Sequence, residues 1–103
     1  MTGFVLLAHT MLAVLDLRED RPNDARSQLA QCDPKPVAGE NPRYAGVYWA
    51  LAARVARATG RVDDSLRFAT EAERLLSSSP PLHVLGMAEV AFARKAAGDD
   101  EGA

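Results

Sequence analysis

Residues 44–76 read YAGVYWALAARVARATGRVDDSLRFATEAERLL, and this stretch decides the fold. Tyr44, Tyr48, Leu51, Val55 and Ala58 recur at three- and four-residue steps, with Trp49, Ala53 and Ala56 beside them. That is the period of a helix with one buried face. Gly60 stops the helix where glycine reaches the left-handed conformation cheaply. A second periodic run follows at once: Val62, Leu66, Ala69, Ala72, Leu75 and Leu76 share one face. Asp63 and Asp64 put negative charge in its first turn, against the positive end of the helix dipole. Two amphipathic helices joined by so short a turn pack antiparallel.

The same punctuation extends outward in both directions. Asn41-Pro42 opens the first of these helices, with proline in the first turn, where its missing N–H would have been unpaired anyway. Ser77-Ser78-Ser79 ends the second helix, and Ser79-Pro80 starts another that buries Leu82, Leu85, Ala88 and Phe92 and stops at Gly98. Upstream, Pro34, Pro36 and Gly39 mark residues 33–40 as a loop. A helix from Arg21-Pro22 to about Asp33 carries a thin stripe of Ala25, Leu29 and Cys32. The first helix, from about Gly3 to Arg18, is apolar nearly all round: Val5, Leu6, Leu12 and Leu17 widen the stripe of Phe4, Leu7, Met11, Val14 and Leu15. Such a helix is buried on more than one side. No segment alternates with a period of two over strand length. The expectation is an all-α chain of about five helices in stacked antiparallel pairs, with one domain over residues 1–98 and a frayed acidic tail over 99–103.

Gly60 and Gly98 end equivalent helices, and Ala25 and Ser65 hold equivalent places in the helices that follow a turn. Both comparisons give a repeat of roughly 38–40 residues, in the range of stacked helical-pair arrays. At this point the sequence resembles the tetratricopeptide family, in which an aromatic early in the first helix, small residues at the crossing and a glycine at the turn recur. Trp49, Ala53, Gly60, Ser65 and Ala72 fall at those spacings. Residues 4–33 match less well, with Asp20 at the glycine position, and Ser65 stands where alanine is favoured. The longer pairs are similar to those of large bacterial transcription regulators of the maltose-activator type. The resemblance implies a scaffold whose first helices line a concave surface: Thr10, Met11, Val14 and Arg18, then Val47, Arg54 and Arg57, then Phe92 and Lys95. Such a groove has an apolar floor and a cationic lip, suited to an acidic or C-terminal peptide.

Composition narrows the function further. With 103 residues and a formal charge of -2, there is no electrostatic case for direct nucleic-acid binding or for an anionic membrane. The apolar run in the first helix ends at Asp16, too short for a spanning segment, and residues 1–3 lack the cationic side chains of a signal peptide. A cytoplasmic protein is expected. The single cysteine, Cys32, excludes an internal disulfide, and His9, His83 and Cys32 lack metal-ligand spacing. There is no glycine-rich phosphate loop, no nucleophile motif and no demand for a cofactor. The pair Asp63-Asp64 reads as helix-start acids rather than metal ligands. No residue is assigned a catalytic role.

Two surfaces are therefore candidates for binding. One is the concave groove just described. The other is the outer side of the first helix, where Val5, Leu6 and Leu12 would be left exposed in a single copy and would join two copies in a homodimer. A protein–protein interaction module is the expectation. The alternative is a small-molecule-sensing or accessory domain linked to a bacterial transcription regulator or biosynthetic pathway.

Overall fold

A computed structural model describes residues 2–98, with side chains from Val5 onward apart from Glu40. The Phe4 side chain and the tail over 99–103 lie outside the described residues. The chain is all-helical: α1 Thr2–Arg18, α2 Pro22–Ala30, α3 Lys35–Glu40, α4 Pro42–Ala58, α5 Val62–Leu76 and α6 Pro80–Ala96. The hairpin of residues 44–76 is α4–α5. The helices expected upstream and downstream of it are α1, α2 and α6. However, α6 buries Gly86, Glu89, Val90 and Ala93 rather than the expected stripe. Leu82, Leu85 and Ala88 are half-buried and Phe92 is exposed, because the close approach to α5 at Gly86 turns the other face inward.

One helix more is present than expected, because residues 33–40 are not all loop. Pro34 is the N-cap of α3 and Pro36 lies in its first turn, so both prolines occupy positions that need no N–H. The Asp33 carboxylate accepts the Lys35 N–H at 3.0 Å, and Val37 is buried in the main core. Prolines read as helix breakers thus start a helix, and α2 ends earlier than expected, at Ala30.

α4 packs against all five other helices. The contacts form one row, α1–α4–α6, with α2 and α5 leaning on it. The Cα extents are 45 × 31 × 19 Å, the shortest dimension matching about two helix diameters. The main core joins Leu6 and Ala13 of α1, Ala25 and Leu29 of α2, Val37 of α3 and Tyr48, Leu51 and Val55 of α4. A smaller cluster of Ala53, Ala69, Val90 and Ala93 fastens α6 to the α4–α5 pair.

The turns repeat more faithfully than the sequence does. Gly60 has φ +80°, the Arg61 N–H bonds the Ala56 carbonyl at 2.7 Å and the Gly60 N–H bonds the Arg57 carbonyl at 3.2 Å. The same pair of bonds closes α1, from Arg21 to Asp16 at 2.7 Å and from Asp20 to Leu17 at 3.1 Å, with Asp20 at φ +61°. Both are left-handed helix ends that satisfy carbonyls the helix leaves unpaired. Asp20 therefore performs the turn of Gly60, at the steric cost a side chain brings to that conformation.

Small residues set the helix separations. Ala53 and Ser65 are both fully buried at the α4–α5 crossing, and Ala13 and Ala25 are both fully buried in the core shared by α1 and α2. A Cβ on Gly86 of α6 would stand 2.7 Å from the Glu73 Cα of α5, so only glycine permits this approach.

Candidate functional site

The expected groove residues do not form one open cationic surface. Arg54 and Arg57 lie one turn apart on α4 and converge on Glu89 of α6. The Arg54 Nε and one of its terminal nitrogens donate to Glu89 Oε2 at 3.3 and 3.0 Å, and Arg57 donates to Oε1 at 3.0 Å. Glu89 is only 1% exposed, so its charge is desolvated and needs both partners. The Arg57 guanidinium also lies 5.1 Å from the centre of the Phe92 ring. Arg54, Arg57 and Phe92 thus lie close together, and a single carboxylate that sequence reasoning did not single out offsets one of the two guanidinium charges.

The other groove residues are placed variously. Lys95 and Arg18 are exposed and Val47 is half-buried. Val14 packs against the main core. Thr10 is buried, its hydroxyl donating to the Leu6 carbonyl at 2.7 Å. Met11 is 58% exposed.

On α1 the expected exposed face needs one correction. Leu6 is only 1% exposed and belongs to the core, one step along α1 from the buried pair Thr10 and Ala13. Val5 and Leu12 are exposed, and Leu15 and Met11 are exposed with them. Ala8 is exposed too, so Val5, Ala8, Leu12 and Leu15 follow the three-four-three spacing of a single helix face. His9, at the edge of this face, is held at Nδ1 to Gln28 Oε1 over 3.0 Å.

A cleft of about 250 Å³ opens between α2 and α5 with α4 as its floor. Its walls, α2 and α5, are not helices expected to line the groove, while its floor, α4, is one of them, here through residues other than Val47, Arg54 and Arg57. The Trp49 ring meets Tyr48 edge-on at 5.2 Å and Phe68 at 5.1 Å with a 39° tilt. The Tyr48 hydroxyl donates to the Leu29 carbonyl at 2.9 Å, which ties α4 to α2. Burial, with the nearby Cys32 and Asp33, pushes the Tyr48 phenol up to about 12. Burial and Asp33 also raise the Cys32 thiol, which keeps it protonated and a poor nucleophile.

Among the described residues no three His, Cys, Asp or Glu side chains gather at metal-binding range, and no helix is long and apolar enough to cross a membrane. Compared with known protein families, curated proteins and solved structures, the chain matches none of them.

Proposed function

We propose that this chain is a short tetratricopeptide-like scaffold that works by binding protein, and that its partner on α1 is a second copy of itself. The observation that carries the reading is the uncharged face of Val5, Ala8, Leu12 and Leu15, flanked by Met11, on a helix whose opposite side is already buried. Contiguous exposed apolar surface of this kind marks an interface. The face also suits a two-fold axis. With two α1 helices antiparallel about Thr10, Leu12 of each copy meets Ala8 of the other, and Val5 meets Leu15. The large Leu12 then opposes the small Ala8 near the axis, and the apolar Val5 and Leu15 cover each other further out. The row of first helices and the matched turns at Asp20 and Gly60 support the repeat reading.

Sedimentation equilibrium of the full chain tests the proposal. A dimer is expected at micromolar concentration, and the double variant Leu12→Lys/Leu15→Lys should be a monomer with unchanged helical circular dichroism. A monomeric parent, or a dimer that survives both lysines, overturns it. Leu6→Lys is the contrasting variant: it buries a charge in the core and should unfold the chain.

A further inference from the structure

We infer that the cleft between α2 and α5 is a binding site for a small aromatic carboxylate. The site is separate from the α1 face, so its failure would leave the self-association reading untouched. Its interior is apolar and aromatic. Trp49 and Phe68 line it with rings tilted by 39°, and Val55 and Ala52 line it from α4. Two groups that could have pointed polar atoms into it are already engaged. The Tyr48 hydroxyl donates to the Leu29 carbonyl, and the Thr59 hydroxyl lies 3.0 Å from the Val55 carbonyl. The interior therefore offers stacking surface and little else.

The rim decides the charge of the occupant. Arg26 from α2 and Arg61 from the start of α5 both line the cleft, and neither has a carboxylate partner among the described residues. The one acid on the lining, Asp64, is paired with Arg67 at 2.7 Å. An aromatic cage can also hold a cation. Here the Arg67 guanidinium already lies 5.3 Å from the Phe68 ring centre, and the two rim arginines would repel a second positive charge. A carboxylate gains charge-assisted hydrogen bonds from the same arginines.

Volume sets the size. A cavity of roughly 150 Å³ holds one benzene, and sites for drug-sized ligands begin near 300 Å³. The cleft of about 250 Å³ therefore suits one ring with a short acidic side chain.

Trp49 is the only tryptophan of the chain, so its fluorescence reports occupancy directly. Titration of the full chain with 3-phenylpropionate should give a saturable change in Trp49 emission. Its neutral amide and 2-phenylethylammonium should each bind about tenfold or more weakly, the loss expected for one charge-assisted hydrogen bond. Arg61→Gln and Arg26→Gln should each weaken the carboxylate by a similar factor while leaving the amide unchanged. Absence of a saturable signal from the parent chain at millimolar 3-phenylpropionate overturns the assignment. So does equal binding of acid and amide, which would reduce the cleft to an apolar depression. A peptide ending in phenylalanine that binds about tenfold tighter than 3-phenylpropionate would also overturn it, by assigning the cleft to a protein tail.

Discussion

The Ser65 hydroxyl donates to the Ala53 carbonyl oxygen across the α4–α5 crossing at 2.8 Å, with both residues fully buried. A serine at a position that favours alanine thus has its polar atom satisfied by the facing backbone. Ser65→Ala should cost only about 1 kcal/mol, the net worth of one neutral hydrogen bond. Ala53→Leu, which adds volume where none is free, should cost on the order of 1–3 kcal/mol. Urea denaturation of the two variants reads the difference. An unperturbed Ala53→Leu would mean the crossing is looser than described.

Asp20 adopts the left-handed conformation that glycine holds at Gly60. Asp20→Gly should therefore stabilise the chain, by up to about 1 kcal/mol after the greater unfolded-state freedom of glycine is subtracted. Gly60→Ala should do the reverse by a similar amount. Opposite shifts in melting temperature are expected, and a destabilised Asp20→Gly would contradict the equivalence of the two turns.

Glu89 accepts hydrogen bonds from Arg54 and Arg57 while nearly fully buried. Glu89→Gln keeps the shape but loses the charge, and should lower stability by about 1–3 kcal/mol. In combination with Arg57→Met the two losses should sum to less than their separate values, because both remove the same contact. Strict additivity in a double-mutant cycle would show that the buried carboxylate does not depend on Arg57.

Tyr48 gives a pH dependence with a definite sign. Its phenol has a reference value of 10.0 and is raised to about 12 in the fold, so the native chain keeps a proton that the unfolded chain loses between them. This contribution is fully present below pH 10 and is lost as pH rises through 12, to the extent of at most about 3 kcal/mol. In a Tyr44→Phe variant, where Tyr48 is the only tyrosine, phenolate absorbance should appear with a midpoint near 12. A midpoint near 10 would show that the phenol is solvated.

The parts of the fold legible in the sequence are those where one residue type has one physical use. Pro42, Gly60, Pro80 and Gly98 bracket α4, α5 and α6 closely, because proline in a first turn and glycine past a last turn have few alternatives. Pro34 and Pro36 misled because the chemistry that starts a helix also stops one, and only the burial of Val37 decides between them. Leu6 misled because a helix apolar all round carries no phase, so nothing in its sequence separates Leu6 from Leu12. Arg54, Arg57 and Phe92 were legible as neighbours. Glu89 was not, although a signal existed: it shares the three- and four-residue spacing of Gly86, Val90 and Ala93, the buried face of α6. An acid on such a face needs a cation opposite, and Arg54 and Arg57 are the two that α4 offers.

The row of helices ends in apolar surface on both sides. Val84, Met87 and Phe92 of α6 are exposed, as Val5, Leu12 and Leu15 of α1 are. The proposed two-fold axis at α1 would close only one of these ends, leaving the α6 face of each copy open. The consequence of the proposed dimer would then be valency: the same α6 face would be presented twice, at a separation fixed by the α1 seam.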